Sequence, residues 1–209
     1  MMIKAVLFDF DGTIADTLPV SVACVNILSK KYDYSKVALS KCRDISMREA
    51  VNKYLKISMF RLPFFVKDLK ELLSKHSDDI KIFDGMDKVI RLLSQRYMIG
   101  ILTSNSESFV SSILNKYNLR KNVSFINSDA SVFGKDMMLR KFLKKNNLRV
   151  NDVVYVGDEV RDIEACKKLK LKMIAVSWGY NSRKLLKSAK AEQIVDMPSA
   201  LLSLFSQPL

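Results

Sequence analysis

Asp9 and Asp11 stand two residues apart at the end of a short apolar run, Ala5-Val6-Leu7-Phe8, and are followed by Gly12 and Thr13. Two carboxylates this close repel one another unless a cation neutralises them. Gly12 permits a tight turn and a close approach of backbone to a ligand. The segment has the form of an acidic metal site built for anionic chemistry; the plain alternative is a solvated turn, since Asp-Gly is a common turn pair. Three further polar groups follow: Thr103-Ser104-Asn105, Gly134-Lys135 and Gly157-Asp158-Glu159-Val160-Arg161-Asp162. A hydroxyl with free backbone N–H groups at 103–105 can hold an anion. Lys135 can neutralise a phosphate as a point charge. Asp162 falls one helical turn after Asp158. Singly, each has a structural explanation: Thr103 as a helix cap, Lys135 as surface, Asp158 and Asp162 as a helix start.

What would bring these groups together is an alternation of strand and helix patterns. Short apolar runs at 5–8, 98–103, 123–127, 153–156 and 172–176 read as parallel strands buried on both faces. Helical periodicity falls between them at 86–95, 108–117, 137–145 and 162–169, and the chain closes with an edge strand at 193–195 and a helix that Pro198 starts. The expected fold is α/β, a Rossmann-like doubly wound parallel sheet. In such a sheet ligands bind at the carboxyl ends of the strands, and all four polar groups sit there. That juxtaposition of acids, a hydroxyl and an ammonium is relieved by a bound Mg²⁺ and a phosphate group. From about 14 to 83 the alternation stops and only helical patterns appear, at 20–32, 37–39, 46–55 and 64–73. We expect an all-helical cap over 15–83, inserted after the first strand, and a catalytic core made of 1–14 and 84–209, with hinges near 14–16 and 83–85. Within the cap, 62–65 are expected in its core. Arg43 and Arg48 are candidates for a substrate carboxylate or second phosphate, or else for surface salt bridges.

Composition narrows the classes. The chain has 209 residues, 48% of them hydrophobic, which suits one domain with an inserted subdomain. The three cysteines, Cys24, Cys42 and Cys166, are scattered, which disfavours a disulfide framework or zinc site and suits small buried hydrophobes. His76, the single histidine, lies in a polar stretch, so a histidine triad or metal cluster is disfavoured. The apolar start is too short for a cleavable leader, and no run approaches a membrane span, so no membrane partner and a cytoplasmic setting are expected. The net charge of +13 is spread along the whole chain. It disfavours a dedicated nucleic-acid arm and fits a basic surface that draws in small anions.

In this order and spacing, Asp9-Phe10-Asp11-Gly12-Thr13, Thr103, Lys135 and Gly157-Asp158-x-x-x-Asp162 resemble the haloacid dehalogenase-like hydrolases. Within them the chain is similar to the phosphoglycolate-phosphatase-like branch with a helical cap, as Trp178-Gly179-Tyr180 also suggests. The resemblance implies a Mg²⁺-dependent phosphatase acting through an aspartyl-phosphate on a small phosphomonoester, phosphoglycolate-like or a sugar phosphate. Asp9 would be the nucleophile and Asp11 the general acid and base. The metal would be held by Asp9, the Asp11 carbonyl, Asp158 and, through water, Asp162. Thr103, the Ser104 amide and Lys135 would hold the phosphoryl oxygens. Members that attack carbon need neither the metal nor the second acid, so Asp11 favours phosphoryl chemistry. Two departures stand out: Asp136-Met137-Met138 after the lysine lacks the usual proline, and Glu159 replaces a small or hydroxyl residue and is expected to face solvent. A phosphomutase of the same family and a polyanion-binding protein with a retained fold are the alternatives. A monomer and a dimer are both compatible with the sequence.

Overall fold

The computed structural model describes residues 3–45, 47–128 and 134–206. The chain begins with β1 (Ala5–Asp9), β2 (Ala15–Asp16), α1 (Leu18–Tyr32), α2 (Met47–Ala50), α3 (Leu62–Lys75) and β3 (Lys81–Ile82). Strands and helices then alternate: α4 (Met86–Leu93), β4 (Met98–Thr103), α5 (Glu107–Lys116), β5 (Phe125–Ser128), α6 (Lys135–Lys145), β6 (Val153–Gly157) and α7 (Val160–Leu169). The chain ends with β7 (Lys172–Val176), α8 (Arg183–Ser188), β8 (Ile194–Val195) and α9 (Pro198–Phe205).

Six parallel strands form one sheet in the order β5-β4-β1-β6-β7-β8. The chain lays strands to one side of β1, then returns to lay the rest on the other. This is the doubly wound order, and its switch in direction opens a crevice between the carboxyl ends of β1 and β6. The expected α/β Rossmann-like sheet is therefore the observed one.

Alternation within β1 builds the two layers. Val6 and Phe8 face a cluster that includes Ile99, Ile101, Val154 and Val156 under α4, α5 and α9. Ala5 and Leu7 face the opposite cluster, with Val153, Tyr155 and the apolar sides of α6 and α7. These four side chains are fully buried, each large one contributing about 1.5–3 kcal/mol. Gly100 in β4 has a packing reason: a Cβ there would lie 1.8 Å from the ring of Phe125 on the neighbouring strand. That ring stacks on Phe142 of α6 with centroids 4.4 Å apart.

The segment between β2 and β3 has its own apolar cluster of Leu28, Tyr32, Val37, Leu55 and Phe65. Tyr32 meets Phe65 edge-on at 5.2 Å. Of the stretch 62–65 expected in this core, Phe65 is buried and Leu62 partly so, while Pro63 is exposed and Phe64 is 66% exposed. The stretch expected as one helix over 46–55 is instead the short α2 followed by a wider, π-type turn, Val51–Leu55, that Lys56 ends in a left-handed conformation. A missed feature is the antiparallel pairing of β2 with β3, Ala15 opposite Ile82 and Asp16 opposite Lys81. Two-residue strands carry no periodic signal. Helix α8, capped by the Ser182 hydroxyl, was also not expected from the sequence. Cys24 and Cys166 are buried as expected, whereas Cys42 is only partly so. Among the described residues no helix is long and apolar enough to cross a membrane.

Candidate active site

The crevice is where the acids converge. Asp9 is the last residue of β1, and Asp158 follows Gly157 at the tip of β6. Asp162 lies in the first turn of α7, where its carboxylate accepts the Glu159 N–H at 3.0 Å and closes the helix start. Oxygens of Asp9, Asp158 and Asp162 lie within 4.8 Å of one another, and all three residues are buried. The Lys135 ammonium, from the first residue of α6, donates to both Asp9 and Asp162.

The ammonium thus meets two of three buried carboxylates, and the acidities of Asp9, Asp158 and Lys135 record the crowding. The Asp9 carboxyl is raised to about 7, mainly by burial; Lys135 opposes the rise and Asp162 adds to it. Burial, and then Asp9, hold the Asp158 pKa well above the carboxylate range. Burial pulls Lys135 down, but Asp162 and Asp9 more than offset it, so its pKa is raised. A set of buried oxygen donors short of positive charge suits a hard divalent cation such as Mg²⁺.

Neighbouring groups fix the carboxylates. Asp158 accepts the Thr13 hydroxyl at 2.8 Å and the Tyr180 N–H at 2.6 Å. The Trp178 indole donates to the Thr13 carbonyl at 3.1 Å. Gly12, with φ of 73°, has no room for a side chain, because a Cβ would fall 2.1 Å from Asp158 Oδ2. Asp9 accepts the Phe10 N–H at 2.9 Å. The Asp11 side chain lies outside the three-acid cluster and accepts Asn105 Nδ2 at 2.7 Å; burial raises its pKa. Thr103, buried at the end of β4, accepts the Asn105 N–H at 3.0 Å through its hydroxyl oxygen, which leaves the hydroxyl proton free to donate.

A cavity of about 300 Å³ extends from Asp11, Ser104 and Asn105 in between α1 and α3. Lys70 of α3 reaches down to the Ser104 carbonyl at 2.7 Å. Arg43 is not among the cavity's lining residues. Its guanidinium donates to the Ser177 carbonyl at 2.7 Å, and its own carbonyl accepts the Ser182 N–H at 2.8 Å, so it fastens the helical segment to the loop after β7. The side chain of Arg48 lies outside the described residues. Glu159 corrects an expectation: it does not face solvent but is 3% exposed, held by the Arg161 guanidinium at 2.5 Å. His76 bonds Asp79 on the surface, away from the acids.

Sequence reasoning did not single out the hold of Thr13 and Tyr180 on Asp158, nor Asn105 as a partner of Asp11. The residues lie 145, 22 and 94 positions apart. Only the strand order joins them.

A parallel-sheet enzyme with buried acids and a lysine at its switch point is the class that fold and site define. The family model for haloacid dehalogenase-like hydrolases matches residues 6–176, and the chain belongs to that family. Among curated proteins it is 29% identical to the phosphoglycolate phosphatase of Synechococcus elongatus over 98% of both chains. It is 25% identical to the N-acetylmuramic acid 6-phosphate phosphatase of Pseudomonas aeruginosa, over 100% of this chain and 97% of the relative. Among solved structures it superposes on a predicted phosphatase from Clostridium acetobutylicum with a TM-score of 0.86 and 22% identity, covering 99% of this chain and 100% of that one.

Proposed function

We propose that the chain is a Mg²⁺-dependent phosphatase that hydrolyses a small phosphomonoester through an aspartyl-phosphate. The enzyme class, a phosphoric monoester hydrolase, follows from family membership together with relatives that are phosphatases by name. The observation that carries the reading is the set of three buried carboxylates, Asp9, Asp158 and Asp162, around one lysine at the β1/β6 crevice.

Asp9, Asp158, the Asp11 carbonyl and Asp162, the last through water, would hold Mg²⁺. The bound ion supplies charge neutralisation for the phosphoryl oxygens and for Asp9. Thr103, the Ser104 amide and Lys135 orient the phosphoryl group for in-line attack, which is most of what phosphoryl transfer asks of a protein. The Asp9 carboxylate attacks phosphorus as the P–O bond to the leaving alcohol breaks, and the leaving oxygen takes its proton from Asp11. Asp11, now a carboxylate, then takes a proton from water as that water attacks phosphorus. Inorganic phosphate leaves and Asp9 is restored. Asn105, bonded to Asp11, fixes the direction in which that carboxyl points.

The segment 15–83, helical except for β2 and β3 at its ends, acts as a cap whose closure excludes water from the first transfer. The core comprises 1–14 and 84–209, and catalysis takes place in the cytoplasm, a setting in keeping with three unpaired cysteines.

The test is phosphate release from a panel of phosphomonoesters, with Mg²⁺ and with EDTA, for wild type and Asp9→Asn. Release should require the metal and fall by on the order of 10⁴-fold in the variant, the scale expected when a covalent nucleophile is lost, with the circular dichroism spectrum unchanged. Release that survives in Asp9→Asn removes the nucleophile. No release from any ester by a folded, Mg²⁺-loaded protein turns the reading toward a phosphomutase or a polyanion-binding role.

A further inference from the structure

The cavity that leads away from Asp11 is unusual in what it offers a substrate. It is walled by Val22 and Val25 of α1 and by Leu62, Val66 and Leu69 of α3. About 300 Å³ of space bordered by Asp11 is the size of a small-ligand chamber.

Several of the polar side chains that reach this chamber already make a hydrogen bond to the protein. Ser21 is hydrogen-bonded to the Tyr180 hydroxyl at 3.0 Å. Asn181 uses both ends of its amide, accepting the Val160 N–H at 2.9 Å and donating to the Ile45 carbonyl at 3.2 Å. Lys70 donates to the Ser104 carbonyl and Arg161 to Glu159, and each keeps further N–H groups. A polyhydroxylated leaving group lodged against the valines and leucines of α1 and α3 would give up its water and find no hydrogen-bond partner in those side chains, at a cost for each unpaired group. A hydrocarbon would lose nothing and would gain burial against α1 and α3.

We infer that the substrate is a phosphomonoester of a hydrocarbon-rich alcohol, with its phosphate at Asp9 and its apolar portion lodged between α1 and α3. The inference rests on the phosphatase reading above and names the substrate class of the same site. The lining also sets a direction. Ser104, Asn105 and Asp11 stand at the phosphate end and the valines and leucines beyond them, so chain length should be read as affinity.

The experiment is the Mg²⁺-dependent hydrolysis of a homologous series of n-alkyl phosphates, from methyl to octyl, beside phosphoglycolate and glucose 6-phosphate, with Asp9→Asn as the blank. The expected result is a rise in kcat/KM of about fourfold per added methylene until the chamber is full, with the longer esters preferred over glycolate and sugar esters. In Val22→Asn and Leu69→Asn the slope should flatten. A series that is flat in the wild type, with phosphoglycolate or glucose 6-phosphate as the better substrate, overturns the hydrocarbon inference and leaves the phosphatase reading standing. Absence of Mg²⁺- and Asp9-dependent release from every ester overturns the phosphatase reading itself. The wild-type series decides the matter even if a lining variant does not fold.

Discussion

Lys135 is bound on two sides by carboxylates, and its side chain is only 11% exposed while those of Asp9 and Asp162 are 3% and 0% exposed. Taking the ammonium away leaves two buried acids facing each other without the counter-charge bonded to both. Lys135→Met is therefore expected to lose about 3–5 kcal/mol of stability in EDTA, measured by urea denaturation, and to recover part of it in Mg²⁺, because a second source of positive charge then reaches the same oxygens. A variant as stable as wild type in EDTA would mean that the pair contributes nothing net. Asp9 and Asp158 could be picked out from the sequence because each ends a recognisable apolar run, and Asp162 because it falls one helical turn further on. Their partners could not. Glu159 reads as an exposed acid until Arg161, two residues on, is seen to fold back over it. Asn105 reads as one of three loop residues until the strand order sets it against Asp11.

At the scale of elements, the turn Val150–Asp152 that leads into β6 holds a carboxylate of a different kind. Asp152 accepts both the backbone N–H and the guanidinium of Arg149, and these bonds hold its pKa at about 2, below the ordinary 3.8. The folded state thus keeps this carboxylate charged more readily than the unfolded chain does. The stability it contributes is present above about pH 4 and is lost as pH falls toward 2. Asp152→Asn should flatten that part of the acid limb in a plot of urea midpoint against pH; an unchanged limb would rule out the assignment. Five of the six sheet strands were readable from their apolar runs between turn residues, and the sixth, β8, from a weaker run before Pro198. Elements too short to repeat a pattern were not: β2, β3 and the six-residue α8 exist because of what they lie against. The break of the 46–55 helix into α2 and a wider turn belongs to the same class, since periodicity cannot register an extra residue in a turn.

For the molecule as a whole, a divalent ion that binds only the folded arrangement of Asp9, Asp158 and Asp162 must stabilise it. At a Mg²⁺ concentration about a hundredfold above Kd the midpoint of thermal unfolding should rise by about 5–10 °C, and Asp158→Asn should lose most of that rise. An equal shift in the variant would mean that the ion acts elsewhere. The overall topology was accessible because parallel strands buried on both faces leave a plain trace in sequence, whereas the chamber between α1 and α3 was not, since its emptiness depends on how two helices stand over a sheet. The small ribbon of β2 and β3 has a consequence of its own. It brings the two ends of the helical excursion side by side at the edge of the core, so the sheet experiences the excursion as a closed loop. The entropy of closing a loop grows only with the logarithm of its length, about 0.6 kcal/mol for each doubling. The sheet is thus nearly indifferent to how much chain is looped out there, and a lineage can lengthen, shorten or rebuild the excursion while the sheet and the buried acids at its edge keep their stability.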